Sequence, residues 1–246
     1  MFSVEDRDRV QDRVLEMAAA DPHVIAAAVV GGLADGGGDR WSDLDLTFAV
    51  ADDVPVSDVL DGWTREFVAE FDAAHLFDLP AGPSIYRVFL LPGCLQVDLS
   101  FTPAAAFGAR GPRFRLLFGH AVDVPQAPPP SANELLGLGV HHAVRARFCI
   151  ERGRWWQAEY WISGVRDQAL ALACHRRGLA VAHGRGFDDL PPDVLAQFDD
   201  ALVRSPQAEE LRRALASAVS GLVRESAEAA DLAARVEAQL RELGDS

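Results

Sequence analysis

In the segment Ser42-Asp43-Leu44-Asp45-Leu46-Thr47-Phe48, two carboxylates stand two residues apart among apolar side chains. Successive side chains of a strand point to opposite faces, so Asp43, Asp45 and Thr47 share one face while Leu44, Leu46 and Phe48 share the other. The run Leu95-Gln96-Val97-Asp98-Leu99-Ser100-Phe101 repeats the pattern, with Gln96, Asp98 and Ser100 facing out and a third carboxylate available on a neighbouring strand. Three acids converging on one face repel one another unless cations neutralise them, and hard oxygen ligands of this kind suit Mg2+ held jointly with substrate phosphates. The chemistry so outlined is two-metal phosphoryl transfer, one ion activating an attacking hydroxyl and the second drawing charge from a leaving pyrophosphate. An Asp-x-Asp pair alone is a weak signal, since most such pairs are solvated positions on half-exposed strands. The whole order is more specific: an apolar strand, Gly31-Gly32, a loop from Leu33 to Ser42, Asp-x-Asp in an apolar strand, then a later strand with one Asp. At Gly31-Gly32 backbone amides can approach a triphosphate closely because no side chain blocks them.

The elements that must position these residues follow from periodicity. Val4 to Ala20 carries apolar residues at helical spacing and ends at Asp21-Pro22. His23 to Val30 is a short apolar run stopped by the glycine pair, the pattern of a buried strand. Ser57 is the expected N-cap of a helix running to about Ala73, with Val59, Leu60, Trp63, Phe67 and Phe71 on one stripe. Ile85–Leu91 and Leu95–Phe101 read as strands joined by a tight hairpin at Pro92-Gly93-Cys94. Residues 1–127 therefore read as an α/β domain with a small mixed sheet. The proline-rich stretch PQAPPPSAN marks a boundary, and residues 128–246 read as an all-α helical bundle. Its expected helices are Ala132–Arg152, Trp155–Arg177, Pro191–Val203, Ala208–Arg224 and Ala227–Leu243, with Gly153 and Gly178 at two C-terminal caps.

The stretch VVGGLADGGGDRWSDLDLTFAV, with VDLSF after it, resembles the DNA polymerase beta-like nucleotidyltransferase superfamily. The signature of that superfamily is a Gly-Gly or Gly-Ser pair followed by Asp-x-Asp and a third acid. The helical half looks like the C-terminal domain of nucleotidyltransferases that modify aminoglycosides or lincosamides. The resemblance implies Asp43 and Asp45 as metal ligands and Asp98 as third ligand or general base. It implies Gly31, Gly32 and Ser42 as nucleotide-binding residues, two Mg2+ ions, an NTP and a small-molecule acceptor as substrates, and a homodimer joined through the helical half. Gly32 departs from the serine often found there and removes one hydroxyl from the phosphate grip. Gly36 to Gly38 are expected to leave the loop mobile until NTP binds. Every one of the 23 basic residues is arginine, so where relatives use lysine near the phosphates this chain must use a planar, bidentate guanidinium.

Within the helical half, the segment carrying Arg147, Glu151, Arg152, Trp155, Trp156, Glu159, Tyr160 and Arg166 is dense in groups suited to a cleft. Glu159, Ile162 and Arg166 lie along one side of a helix. On the functional assignment, Glu151 or Glu159 binds a cationic acceptor or deprotonates its hydroxyl, and Arg147 or Arg166 meets the triphosphate. The plainer assignment is an amphipathic helix whose aromatics fill the core and whose acids pair with nearby arginines.

The chain's 49% hydrophobic and 24% charged residues are ordinary for a folded globular protein. A net charge of -14 argues against nucleic acid as a partner, because a phosphate backbone wants a basic face, and leans toward a cationic acceptor. Three widely spaced cysteines form no metal or disulfide spacing, and no apolar stretch approaches the about 20 residues of a membrane span. A cytoplasmic protein with no membrane partner is expected. Two other functions fit the same motif: adenylylation of a partner protein, in the manner of antitoxin-like nucleotidyltransferases, and nucleotide binding without catalysis.

Overall fold

A computed structural model describes residues 1–126 and 128–244. The chain divides into two compact units, Met1–Ala127 and Pro128–Ser246. The first is α/β with a mixed sheet and the second is helical, the fold class expected from the sequence.

In the first unit α1 (Val4–Ala20) opens on a capping box, the Asp6 amide donating to Ser3 Oγ at 3.1 Å and the Ser3 amide to the Asp6 carboxylate at 3.0 Å. It buries Val10, Val14, Met17 and Ala18. Then follow β1 (Val24–Val30), a 3-10 turn at Gly31–Leu33, β2 (Leu44–Val50), α2 (Val56–Phe71), β3 (Ala74–Ala81), β4 (Ser84–Leu91), β5 (Leu95–Pro103) and β6 (Phe114–Phe118). The six strands run in the order β3-β4-β5-β2-β1-β6, with β2 parallel to β5 and the other neighbours antiparallel. Leu44, Leu46, Phe48 and Val50 of β2 and Leu95, Val97, Leu99 and Phe101 of β5 share one core with the apolar stripes of α1 and α2. Phe48, Trp63 and Phe101 meet there with ring centroids 5.0 to 5.2 Å apart, and Trp63 Nε1 donates to Asp21 at 2.7 Å. The alternation of β2 and β5 thus places one face of each strand in this core and sends the carboxylates to the other.

Several elements differ from expectation. Strands β3 and β6 carry no alternation that marks them, because β3 buries neither face and β6 is a short outer strand. Both lie at sheet edges, where Pro80 is tolerated because an edge strand can forgo a ladder donor. Helix α2 begins at Val56 after Pro55 without a side-chain cap; Ser57 sits inside the first turn and its hydroxyl donates to Asp58 at 3.2 Å.

The helical unit comprises α3 (Ala132–Glu151), α4 (Trp155–His175), α5 (Pro192–Leu195), α6 (Ala208–Glu225) and α7 (Ala230–Gly244). A second capping box, Ser131 with Glu134, starts α3, and Gly153 and Gly178 follow α3 and α4, each at φ 66°. The span 191–203 is not one helix: α5 gives way to a 3-10 segment at Ala196–Ala201. Likewise a 3-10 turn at Ser226–Ala229 precedes α7. The core of this unit is drawn from its own residues, among them Leu136, Ala146, Ile162, Val165, Leu172, Leu215 and Leu222. Among the described residues no helix is long and apolar enough to cross a membrane.

Candidate active site

Parallel pairing of β2 with β5 sets Asp45 opposite Asp98 and Thr47 opposite Ser100, in register. Asp43 stands one residue before β2, so the alternation that turns Asp45 outward carries it to the same side. One carboxylate oxygen from each of Asp43, Asp45 and Asp98 lies within 4.8 Å of the others. Asp43 is exposed, and Asp45 and Asp98 are half-buried. Three anionic oxygens that close form a donor set for a hard divalent cation, and the chemistry of the set fits Mg2+.

Burial pushes the Asp98 carboxyl above its ordinary value. The Gln96 amide, donating to both carboxylate oxygens at 3.1 and 3.3 Å, opposes that shift, and the Asp43 charge adds to it. Gln96 was legible as a neighbour two residues away on the same strand face; its bond to Asp98 was not.

Gly31, at the end of β1, adopts φ 69°, and a Cβ there would collide with Asp45 Oδ2. A side chain there would displace the Asp45 carboxylate, and the left-handed backbone itself favours glycine. Gly32 is adjacent to Ser42: a Cβ on it would be 3.7 Å from the Ser42 hydroxyl. That hydroxyl is engaged in the turn that delivers the chain to Asp43. It accepts from the Asp39 amide at 2.9 Å and donates to the Asp39 carboxylate at 3.2 Å, while the same carboxylate accepts from the Trp41 amide at 2.8 Å. From α1, Arg7 reaches across and donates to the Asp39 carbonyl at 2.7 Å. The other stem of the glycine loop meets two more arginines: Arg115 Nε donates to the Ala34 carbonyl at 3.1 Å, and Arg113 stands 3.5 Å from the Asp35 carboxylate. None of these three arginines was singled out from sequence, since each acts across a gap in the chain that periodicity does not report.

The candidate residues of the helical unit have partners within it. Arg147 pairs with Glu151 at 2.9 Å, one helical turn away, and Arg212 lies 3.8 Å from the same carboxylate. Arg166 donates to Asp167 at 2.9 and 3.1 Å, and the Glu159 carboxylate accepts from the Ser163 hydroxyl at 2.8 Å. Ile162 is fully buried between Glu159 and Arg166, so that side of α4 contributes to the core of its own unit.

Among solved structures the chain is similar to an aminoglycoside 6-adenyltransferase from Bacillus subtilis, at 11% sequence identity, with all of both chains covered and a TM-score of 0.41. No family model matches the sequence. No curated protein matches it.

Proposed function

We propose that the chain is a magnesium-dependent nucleotidyltransferase that moves a nucleoside monophosphate, AMP in the first instance, from an NTP to a hydroxyl of a small molecule and releases pyrophosphate. An aminoglycoside or lincosamide antibiotic is the proposed acceptor class. The observation that carries this reading is the meeting of three carboxylates, on and just before adjacent parallel strands, with oxygens within 4.8 Å, beside a glycine whose missing side chain leaves room for Asp45.

Asp43, Asp45 and Asp98 would hold the Mg2+ ions. When bound, the ions supply charge neutralisation for the triphosphate and a more acidic acceptor hydroxyl. In the transfer itself the acceptor oxygen forms a bond to the α-phosphorus as the bond to the pyrophosphate oxygen breaks. The proton of the hydroxyl leaves to a general base, the role Asp98 would fill in place of that of third ligand. The edge of Gly31 and Gly32 offers backbone to the phosphates without a side chain in the way.

The test is pyrophosphate release with Mg2+, each NTP in turn, and a panel of aminoglycosides, lincosamides and simple sugars. Acceptor-dependent release that Asp45→Asn abolishes, with the far-ultraviolet dichroism of the variant unchanged, is the expected result. Wild-type turnover in Asp45→Asn would exclude the carboxylate site as the reaction centre. Glu159→Gln tests the acceptor side separately: unchanged acceptor KM and kcat would leave Glu159 with its Ser163 bond alone.

A further inference from the structure

We propose that Arg7 is a positioning residue for the carboxylate site, holding the turn that presents Asp43; the proposal rests on the metal-binding reading above. Arg7 lies on α1 and is only 5% exposed. A buried guanidinium is costly unless its donors are satisfied. Among the described residues its one acidic neighbour is Asp8, adjacent in sequence and 59% exposed, which accepts from Nε and Nη2 at 3.4 Å each, a pairing too long and too solvated to account for the burial by itself.

The partners that account for it are backbone carbonyls on the way to the site. Arg7 Nη1 donates to the Asp39 carbonyl at 2.7 Å and, at 3.4 Å, to the Ser42 carbonyl. The first carbonyl opens the turn and the second closes it, and the second belongs to the peptide group whose nitrogen is that of Asp43. The other bonds of the turn, between Asp39 and Ser42 and between Asp39 and Trp41, are internal: they give the turn its shape and do not attach it to anything else. Upstream lie Gly36, Gly37 and Gly38, with no side chains by which to anchor the loop. Arg7 supplies the attachment. Helix α1 is itself fixed by Val10, Val14 and Met17 in the core beneath β2, and by the capping box at Ser3 one turn before Arg7. Asp45 and Asp98 sit on paired strands and hold their places through the sheet ladder. Asp43 precedes the strand, so its approach to the other two depends on the turn and hence on the guanidinium.

The experiment titrates the full-length protein with Mn2+, a spectroscopic stand-in for Mg2+, and reads bound metal by electron paramagnetic resonance without nucleotide or turnover. Arg7→Met is expected to weaken Mn2+ binding by about tenfold or more, the range seen when groups that orient metal ligands are removed. Arg7→Lys, which keeps the charge but not the fork, is expected to weaken it less, and carries the same comparison should Arg7→Met fail to fold. Val14→Ala serves as the packing control: it removes buried volume from the same helix and lowers Tm, with Mn2+ affinity held within about twofold of wild type. Wild-type affinity in the Arg7 variants, or an equal loss in Val14→Ala at matched Tm, overturns the proposal while leaving the metal site standing. A wild-type chain that binds no Mn2+ overturns the metal site and this proposal together.

Discussion

A methyl group on Gly31 would occupy the space of the Asp45 carboxylate, which makes this glycine the most informative single residue to change. Gly31→Ala carries two penalties of different kinds. The left-handed backbone at φ 69° costs about 1–2 kcal/mol for a residue with a Cβ. The collision displaces a predicted metal ligand, and a displacement on the order of 1 Å lowers turnover by about a hundredfold. The expected outcome is thus a modest drop in Tm beside a large drop in kcat, read by thermal unfolding and pyrophosphate release on the same preparation. A loss of kcat no larger than the Tm shift accounts for would separate Gly31 from the site. The sequence showed the three acids, because alternation in two apolar strands places Asp45 and Asp98 without further information. It did not show that Gly31 serves Asp45, or that Arg7 reaches a turn 32 residues away, because neither contact leaves a periodic trace.

At the scale of elements, legibility followed burial. Strands β1, β2, β4 and β5 each have a buried face or two and announced themselves; β3 is exposed along its length and did not. Besides its ladder with β4, a polar contact holds β3: Arg87 on β4 donates from Nε and Nη2 to both oxygens of Asp78 on β3, at 2.7 and 2.6 Å, and also reaches Thr64 on α2 at 2.6 Å. The paired guanidinium holds the Asp78 carboxyl below its ordinary value, with His75 adding to the effect. A carboxyl lowered in the folded state stabilises the fold above its unfolded value, and that contribution is lost as pH falls through the lowered one. Asp78→Asn should therefore cost about 1–2 kcal/mol near pH 7, allowing for a carboxylate about one-third exposed, and the deficit should shrink in strong acid as the wild type protonates. Urea unfolding of both proteins across the acid range checks this, and a deficit independent of pH would assign the loss to shape rather than charge. The helical caps make a simpler case: Ser131→Ala breaks the capping box of α3 and should cost about 1 kcal/mol in the same measurement.

Across the whole molecule, charge is distributed unevenly between the units. Residues 1–127 carry 20 acids against 9 arginines, a net -11 of the chain's -14, so the acidic excess belongs to the unit that bears Asp43, Asp45 and Asp98. That asymmetry gives the proposed acceptor a physical consequence. A polycationic aminoglycoside would be drawn toward such a unit by a field that salt screens, with a Debye length of about 10 Å at 0.1 M falling to about 3 Å at 1 M. Its KM should then rise several-fold as ionic strength increases over that range, while kcat, set by the bound complex, stays nearly constant. A lincosamide, with far less positive charge, should show little change. Measuring both acceptors over one salt series therefore separates two roles for the acidic surface. An aminoglycoside KM that climbs with salt assigns it to substrate capture; a KM that stays flat, in an enzyme that still turns the acceptor over, assigns the excess charge to solubility alone.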